Sequence, residues 1–481
     1  MTGLTREPQI INGNEVVSQT GRWRSVVDPA TGEAVFEVPW GHGDDARLAL
    51  DVAAGAWPAW ARRNVFERGV VLERAAELIR DRVETYARRT AEESGKPLAQ
   101  ARAEWAGAPN YLRYAAEEAR RLGGRWIPAR APGRRIDVTW QPLGVVGVIT
   151  AWNFPIYNVN RAVASALAAG CCAVVRPSEY TPRTALDYVR ALHDAGLPPG
   201  VLNVVTGEAH AMGQAMLDDP RCRKIAFTGS TRVGKLLMEG AARTVTRLAL
   251  ELGGNAPVWI FPDVGDVEAL ARTAVAARHR NCGQVCITPQ RFYVHTSIHE
   301  RFIAAMAAAI RAEVVGPGLD PASTVGPLIH EGQRARVDDI VRRSLAAGAV
   351  PVVGGHVIPG PGFFYAPTLL RDVPADAPIL HEEVFGPVTP VQSFTTTEEA
   401  LALANATEYG LAAYQWTRDL GTAMRVSEQL EFGMIGVNDW YPVTAEAPFG
   451  GFKQSGLGRE SGLEGVHEYV ELKTRYFGGL E

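Results

Sequence analysis

Short apolar segments alternate with amphipathic segments along residues 144–252 of this chain. The apolar runs predict strands at 144–150, 171–176, 201–206, 224–228 and 246–252, and the segments between them predict helices at 158–169, 182–195, 209–217 and 231–242. Strands that alternate with helices form βαβ units, whose strands lie parallel in one sheet. The pattern therefore predicts a doubly wound α/β sheet.

A second alternating set follows the first. It predicts strands near 257–261, 290–295, 350–353 and 388–394, and helices near 266–280, 299–313, 331–347 and 397–405. Single hydrophobic cores stop growing near about 250–300 residues, so a chain of 481 residues divides into domains. We expect a second doubly wound α/β domain to begin near Pro257.

The segments outside these two sets have other patterns. Residues 47–119 are rich in Ala, Arg and Glu, with apolar residues at three- and four-residue steps, which predicts helices. The basic run from Arg120 to Arg135 is broken by glycine and proline and predicts a solvated loop or a subunit contact. The tail alternates apolar and charged residues, which predicts an edge strand that pairs with the 134–141 ribbon of another subunit.

Charge, hydropathy and cysteine usage indicate which kinds of ligand and partner the chain can bind. The chain has 49 Lys+Arg and 53 Asp+Glu, and a net charge of −4 gives no basis for binding nucleic acid or a membrane surface. No apolar run reaches the roughly 18 residues of a membrane span, so we expect a cytoplasmic protein with a small-molecule ligand. Its five cysteines include no Cys-x-x-Cys pair, which predicts reduced thiols. No second Cys/His pair at zinc spacing accompanies His279, Cys282 and Cys286, so no metal site is expected.

Two strand ends carry residues suited to a dinucleotide, although the fingerprint Gly-x-Gly-x-x-Gly does not occur. In "KIAFTGSTRVGK", Gly229 allows a close backbone approach, Ser230 offers a hydroxyl, and Gly234 lies in a helix whose N-terminus attracts anions. In "VVRPSEYTP", Arg176, Ser178 and Glu179 follow another strand, and an acidic residue there can accept both ribose hydroxyls of NAD. The structural alternatives are turn geometry for Gly229, a helix cap for Ser178 and a solvated Glu179.

Three segments carry residues suited to chemistry on a carbonyl: "TAWNFP" (150–155), "LELGGNAP" (250–257) and "RNCGQVCITPQR" (280–291). A Cys286 thiolate can attack an aldehyde, and the alkoxide so formed releases hydride more easily than the aldehyde itself does. The Asn153 amide and the Cys286 N–H can stabilise this oxyanion. Glu251 can then activate the water that cleaves the thioester. Taken singly, the three side chains have structural alternatives: a buried cysteine, a turn residue and an ion-pair partner.

Seven ordered motifs resemble those of the aldehyde dehydrogenase superfamily across nearly the whole chain. They are "WNFP" (152–155), "RPSE" (176–179), "FTGSTRVG" (227–234), "LELGG" (250–254), "GQVC" (283–286), "EEVFGPV" (382–388) and "PFGGFKQSGLGRE" (448–460). The resemblance implies an NAD(P)-binding domain over 1–123 and 143–254 and a catalytic domain over 255–447. It also implies a small β oligomerisation element over 124–142 and 465–481, and a homodimer or homotetramer.

The resemblance also implies the roles of individual residues. Cys286 is the nucleophile, Glu251 the general base and Asn153 the oxyanion donor. Glu383 and Phe385 hold the nicotinamide half of NAD or NADP. The remaining cofactor positions are Thr150, Trp152, Arg176, Ser178, Glu179, Gly229, Ser230, Gly234 and Leu252.

Within the superfamily the chain is most similar to the succinate semialdehyde dehydrogenase branch. Arg161 and Arg280 match positions whose arginines bind the distal carboxylate of the substrate there, and a guanidinium suits a carboxylate bidentately. The substrate loop departs from that branch, because "WYPVTAE" places Val443 where a serine is expected and adds aromatic bulk at Trp440 and Tyr441. An acidic aldehyde is therefore the expected substrate, with a benzaldehyde- or vanillin-like aldehyde as the alternative.

One further departure from the family pattern concerns the cofactor, and two alternative kinds of protein remain to be weighed. Arg176 replaces an expected lysine and could pair with the 2′-phosphate of NADP, whereas Glu179 favours NAD. A CoA-acylating dehydrogenase generally lacks the base that Glu251 provides. An inactive structural relative would have no reason to keep Asn153, Glu251 and Cys286 together.

Overall fold

The computed structural model describes residues 3–479 of the chain. It begins with short strands, followed by the long helices that the pattern of residues 47–119 predicts. These strands are β1 (Thr5–Arg6), β2 (Gln9–Ile11), β3 (Asn14–Val16), β4 (Trp23–Val27) and β5 (Ala34–Pro39). The helices are α1 (Gly43–Arg62), α2 (Val65–Asp81), α3 (Val83–Ser94) and α4 (Leu98–Ala119). Within residues 3–479 no helix is long and apolar enough to cross a membrane.

The first parallel sheet confirms the predicted alternation. After β6 (Arg125–Ile127) and β7 (Arg135–Pro142), its elements are β8 (Val145–Ile149), α5 (Pro155–Ala169), β9 (Cys172–Arg176), α6 (Pro182–Asp194), β10 (Leu202–Val204), α7 (Ala209–Asp218), β11 (Cys222–Thr228), α8 (Thr231–Ala241) and β12 (Arg247–Glu251). The central strands lie in the order β12-β11-β8-β9-β10. The order reverses between β8 and β11, and doubly wound sheets bind ligands beyond the strand ends at such a switch point.

The next set of elements forms the second sheet, the helices around it and one short strand outside it. They are β13 (Ala256–Ile260), α9 (Val267–His279), β14 (Pro289–His295), α10 (His299–Arg311), α11 (Glu331–Ala346), β15 (Val350–Val353), β16 (Thr368–Arg371), α12 (Pro378–His381), β17 (Val388–Phe394), α13 (Thr397–Asn405), β18 (Tyr409–Gly410), β19 (Ala412–Trp416), α14 (Leu420–Gln429) and β20 (Met434–Val437). The strand order is β15-β16-β17-β14-β13-β19-β20. The sequence did not predict β16, β19 or β20, because they are short and combine alanine, glycine or polar residues with burial, so no alternation marks them.

The chain then returns to the first sheet and ends on a strand. The last elements are β21 (Phe452–Lys453), β22 (Gly456–Leu457), α15 (Gly462–His467) and β23 (Val470–Phe477). β22 pairs with β12 and places Gly456 opposite Glu251. β23 pairs antiparallel with β7 of its own chain, from Val470 opposite Pro142 to Phe477 opposite Arg135. The expected pairing of the tail with another subunit's ribbon is therefore wrong, since this ribbon edge is filled within the chain. The domain bounds given above stay a prediction.

Candidate active site

Two open cavities meet at the side chains of Asn153 and Cys286. The first cavity has a volume of about 610 Å³, and the second has a volume of about 710 Å³. Residues that line the first cavity include Tyr111, Phe154, Tyr157, Arg161, Arg280 and Tyr441. Residues that line the second include Trp152, Gly229, Glu251, Leu252, Glu383 and Phe385. A group bound to Cys286 can therefore be reached by one ligand from each cavity.

Asn153 is held in one orientation by its neighbours. It follows β8, two residues before Pro155 opens helix α5. Arg161 Nη2 donates to Asn158 Oδ1 (3.4 Å), so Asn158 turns its NH₂ group toward Asn153 Oδ1 (3.2 Å). The Asn153 amide must then direct its own NH₂ group the other way, where one N–H donates to Gln284 O (3.1 Å). The second N–H of this amide makes no hydrogen bond among residues 3–479, and the amide lines both cavities together with Cys286.

The turn before Cys286 has a strained backbone. Asn281 (φ 49°) and Cys282 (φ 57°) adopt the left-handed region, followed by Gly283 (φ 71°). Such conformations cost non-glycine residues roughly 1–3 kcal/mol each and occur where the surroundings over-determine them, as at active sites. Gln284 provides such surroundings, because its side-chain oxygen accepts from Ile329 N (2.9 Å).

The surroundings of the Cys286 thiol favour its protonated form. Burial raises its pKa to about 12, the Arg161 guanidinium acts in the opposite direction, and the carboxylates of Glu383 and Glu251 add to the rise. Because the thiolate is the nucleophile, a base must take the proton when the aldehyde binds.

Glu251 lies at the end of β12, between β11 and β22, and lines the second cavity. Its Oε2 atom is buried and has no hydrogen-bond partner within residues 3–479. Burial raises the pKa of Glu251 well above its usual value, Glu460 raises it further, and Arg161 opposes both effects. A carboxyl group whose pKa is raised toward the working pH is an effective general base.

The two predicted substrate arginines lie in different electrostatic settings. Arg161 is buried, and its Nε atom lies 3.1 Å from Glu460 Oε2 in an ion pair. Arg280 lines the first cavity between the rings of Phe154 (5.1 Å from guanidinium to centroid) and Tyr441 (5.0 Å). Among residues 3–479 no carboxylate pairs with Arg280 and no side-chain hydrogen bond neutralises it. Of the two cations, Arg280 is the one left for a ligand anion.

Of the two predicted residues of the substrate loop, one lines the first cavity and the other does not. Val443 lines it, as predicted, and so does Tyr441. The prediction that Trp440 contacts the substrate is wrong, because its indole is packed in the core of the second sheet beside Trp416 and donates to Thr273 Oγ1 (3.0 Å). Adjacent residues of this loop face opposite ways, and the sequence does not show which of them faces inward.

Several residues that line the first cavity were not predicted from the sequence. Tyr111 comes from α4, Phe154 and Tyr157 from the start of α5, and Phe449 from the segment before β21. The Phe449 ring lies under the Arg161 guanidinium, 4.0 Å from its centre. Phe154 and Phe449 belong to the quoted "WNFP" and "PFGG" motifs, so their signal was present, whereas nothing in the helical segment marked Tyr111.

The second cavity lies where a doubly wound sheet binds its ligand. It opens at the switch point, because Trp152 follows β8 and Gly229 follows β11. Glu383 Oε1 accepts from Gly254 N (2.9 Å), which leaves Oε2 for ribose hydroxyls, and a Cβ on Gly253 would lie 2.8 Å from that Oε2 atom. The absence of a side chain at Gly253 therefore keeps the Glu383 carboxylate open.

Further contacts shape the wall of this second cavity. Phe385 lies edge-on to Trp152, with ring centroids 5.4 Å apart. Burial raises the pKa of Glu383 to about 7, and its hydrogen bond from Gly254 N opposes the rise. Ser230 caps α8 by accepting from Val233 N (3.4 Å), so the helix N-terminus beside the cavity offers its remaining N–H groups to an anion.

The other predicted cofactor residues lie at the same sheet edge but outside the wall of the second cavity. Thr150 N donates to Arg176 O (3.2 Å), which joins the ends of β8 and β9. Arg176 Nη2 donates to Glu179 Oε2 (2.9 Å) and to Gly207 O (2.8 Å). Burial tends to raise the pKa of Glu179, but Arg176, the Glu179 backbone N–H and Arg24 together hold the pKa below its usual value.

Ser178 and Gly234 have local contacts that explain their residue types. Ser178 Oγ accepts from Tyr180 N (3.3 Å), and Thr181 occupies the N-cap of α6, so Ser178 does not cap that helix. A Cβ on Gly234 would lie 2.7 Å from a methyl group of Leu252, so glycine here lets α8 pack on the residue after β12.

Each of the five cysteines carries a free thiol, and Cys282 lies apart from Cys286. The Cys282 side chain is packed in a hydrophobic cluster with Leu328 and Val337, whereas Cys286 packs against the cluster that contains Val285. Burial raises the pKa of Cys282 far above its usual value. This separation disfavours oxidative pairing of the two thiols.

The sheet order and the cysteine between two cavities are those expected of an oxidoreductase that moves a hydride between a carbonyl substrate and a dinucleotide. Comparison with known families gives the same class, since the model described as "Aldehyde dehydrogenase family" matches residues 16–475. The chain belongs to the aldehyde dehydrogenase family and oxidises aldehydes with a nicotinamide cofactor.

Similar proteins cover nearly the whole chain. The succinate-semialdehyde dehydrogenase of Paenarthrobacter nicotinovorans is 47% identical over 436 residues, which are 90% of this chain and 96% of that one. The 3-sulfolactaldehyde dehydrogenase of Pseudomonas putida is 41% identical, over 99% of this chain and 98% of that one. A crystal structure of an E. coli NADP-dependent enzyme is 40% identical and superposes with a TM-score of 0.96, covering 98% of both chains. The predicted fold class is confirmed.

Proposed function

We propose that this enzyme oxidises an aldehyde whose far end carries an anionic group, such as succinate semialdehyde. The observation that carries the proposal is the Arg280 guanidinium, which lies in the first cavity without a carboxylate partner among residues 3–479. Arg280 is only partly buried, so its guanidinium is accessible from the cavity and can pair bidentately with a carboxylate or similar anion of the ligand. The rings of Phe154 and Tyr441 hold the guanidinium in place without neutralising it.

The relatives support an acidic substrate over an aromatic one. The two named above act on aldehydes that carry a carboxylate or a sulfonate. The aromatic alternative was motivated by Trp440 and Tyr441. Trp440 is buried in the core, and Tyr441 lines the cavity with its ring against the Arg280 guanidinium. We retain the acidic aldehyde as the proposed substrate class.

The residues around Cys286 suit a covalent mechanism. Glu251 takes the thiol proton and passes it to solvent, while sulfur bonds to the aldehyde carbon and Asn153 Nδ2 donates to the oxyanion. NAD(P) in the second cavity supplies the acceptor for the hydride of that carbon, and a thioester remains on Cys286. Glu251 then takes a proton from a water molecule as the water oxygen attacks the thioester carbon. It returns this proton to the Cys286 sulfur as the carbon–sulfur bond breaks, which releases the acid.

An Arg280→Met substitution tests the substrate class. We expect kcat/KM for succinate semialdehyde to fall on the order of 10²-fold, because the substrate loses a charge-assisted, bidentate pair. Propanal has no distal charge and serves as the matched substrate, for which the change should stay within about twofold. Steady-state kinetics with both aldehydes measures this, and equal losses would contradict carboxylate binding by Arg280.

We propose NAD as the preferred cofactor. Arg176 is buried and already bonded to Glu179 and to Gly207 O, so its guanidinium is not open to a 2′-phosphate. Glu179 keeps one carboxylate oxygen for ribose hydroxyls, and its negative charge opposes a phosphate at the same place.

A Glu179→Gln substitution tests the cofactor preference. We expect the ratio of kcat/KM for NADP to that for NAD to rise at least tenfold, since the repulsion of the 2′-phosphate is removed and Arg176 is released. Glu92→Gln is the matched control, because Glu92 is another partly exposed carboxylate that pairs with a buried arginine, Arg183 (3.2 Å). An unchanged ratio in Glu179→Gln would argue against this role of Glu179.

A homodimer or homotetramer remains the proposed assembly. Large apolar side chains are exposed on α8 and on the sheet of β6, β7 and β23, namely Leu236, Met238, Trp126, Leu472 and Tyr476. Such patches on a soluble monomer mark contact surfaces, and a second copy of the chain would cover them.

A further inference from the structure

Lys96 and Glu104 form a fully buried ion pair that the mechanism above does not use. Lys96 lies between α3 and α4, directly after Gly95, whose φ of 73° ends α3. Its Nζ atom lies 2.5 Å from Glu104 Oε2, and each side chain is 1% exposed. Burying an isolated ion pair rarely stabilises a fold more than apolar residues of similar volume would. The pair therefore calls for an explanation other than stability.

The contacts of this pair lead directly to the proposed oxyanion donor. Lys96 Nζ donates to the main-chain carbonyl of Asn153 (2.8 Å), which also accepts from Asn281 Nδ2 (2.9 Å). Glu104 Oε1 accepts from Ile156 N (3.1 Å), an otherwise free N–H group in the first turn of α5. The ion pair thus makes hydrogen bonds to two backbone groups of this segment, the carbonyl of Asn153 and the N–H of Ile156.

We propose that Lys96, held by Glu104, is a positioning residue that fixes the Asn153 amide for the oxyanion formed at Cys286. The inference rests on the proposed role of Asn153. Lys96 does not line either cavity, so it acts through the Asn153 backbone and not on the substrate. Hydrogen-bond donors stabilise an oxyanion only when they are fixed beforehand at the required distance, and a displacement of about 1 Å can cost 10²-fold in rate.

The geometry explains why a charged residue is used here. The turn after β8 leaves the Asn153 carbonyl outside any helix or sheet ladder, and a buried carbonyl needs a donor. An ammonium group supplies a strong donor from a distant part of the chain, and Glu104 neutralises it. The ring of Phe154, 4.3 Å from Lys96 Nζ, covers the same charge from the cavity side.

The test is a Lys96→Met substitution compared with Asn153→Ala in a double-mutant cycle. We expect Lys96→Met to lower kcat roughly 10²-fold with KM for the aldehyde nearly unchanged, and Asn153→Ala to lower it about 10²–10³-fold. The double variant should be no slower than Asn153→Ala alone, because the lysine acts through that amide. Lys96→Arg keeps a cationic donor and should recover most of the rate.

The rate at which iodoacetamide alkylates Cys286 shows whether a substitution affects the thiol itself or only the stabilisation of the oxyanion. This displacement forms no oxyanion, so its rate should be unchanged in Lys96→Met. The other four cysteines are buried, which leaves Cys286 as the reactive thiol. Glu93→Gln is the matched control. Like Glu104, Glu93 is buried and accepts from N–H groups in the first turn of a helix, here Arg183 N and Thr184 N of α6. The kcat of Glu93→Gln should equal that of the wild type.

Different results would overturn the inference and the proposed function separately. Full activity of Asn153→Ala would contradict the proposed oxyanion donor. If Asn153→Ala lowers kcat strongly and the double variant shows the fully additive loss of kcat, the role of Lys96 is overturned while that of Asn153 stands. An equally large fall in the alkylation rate of Cys286 in Lys96→Met would also overturn the role of Lys96. Should Lys96→Met not fold, Lys96→Met/Glu104→Gln removes both charges together and is read in the same way.

Discussion

Replacing Cys286 with serine is expected to lower kcat for aldehyde oxidation by about 10⁴-fold or more, with the fold unchanged. A serine hydroxyl is a far weaker nucleophile than a thiolate, and no other cysteine lines either cavity. The rate of reduced-cofactor formation measures the effect, and circular dichroism checks the fold.

Cys282→Ser is the matched control for this substitution. It makes the same chemical change four residues earlier, in a side chain buried in a separate cluster. The variant should lose some stability, because a hydroxyl replaces a buried thiol, but its kcat should stay within a few-fold of the wild type. Activity of Cys286→Ser above a tenth of the wild type would contradict covalent catalysis by Cys286.

Replacing Glu251 with glutamine is expected to halt the reaction after hydride transfer. Steady-state kcat should fall about 10²–10⁴-fold, because water loses its general base. The first turnover should still give close to one reduced cofactor per Cys286, but more slowly than in the wild type, because solvent must then take the thiol proton in place of Glu251. The thioester should accumulate, since the water that attacks it has lost its base. Stopped-flow absorbance measures the first turnover, and mass spectrometry of the quenched enzyme detects the acyl adduct.

The pH profile gives a second signature of Glu251. Burial raises the pKa of Glu251 in the folded protein, so the basic form is lost as the pH falls through that raised pKa. Wild-type kcat should therefore decline on the acid side, and this limb should be absent in Glu251→Gln. Glu93→Gln is the control, because burial also raises the pKa of the Glu93 carboxyl group, to about 8. This variant should keep the decline of kcat on the acid side.

Product analysis with CoA distinguishes two fates of the thioester. Hydrolysis predicts the free acid as the only product, with or without CoA. An acyl-CoA product, or full turnover of Glu251→Gln when CoA is added, would show that water and Glu251 do not resolve the intermediate.

The fold was predictable where burial leaves a pattern in the sequence. The strands of the first sheet are short apolar runs, and helices α5 to α8 follow them with regular spacing, so both were predicted within a few residues. β19 was missed because its Ala and Gln415 are buried by neighbours from distant parts of the chain. The tail strand was predicted, but its partner was not, because pairing depends on where the chain folds back.

The proposed chemical residues were found from their motifs, whereas their electrostatic states were not. Nothing in the sequence separates Arg161 from Arg280, yet Glu460 neutralises the first and the second stays without a carboxylate partner among residues 3–479. Trp440 and Tyr441 are adjacent aromatic residues, and only packing decides that the second faces the cavity.

The sequence by itself determined the family, the alternation of strands and helices, and the segments that carry Asn153, Glu251 and Cys286. These properties are local, because a motif or a hydrophobic period is written in consecutive residues. Only the tertiary structure decided that the helical segment of residues 47–119 contributes Lys96, Glu104 and Tyr111 to the site. Contacts across 57 residues, as between Lys96 and Asn153, depend on how the helices pack on the sheet, and no short pattern in the sequence records that distance.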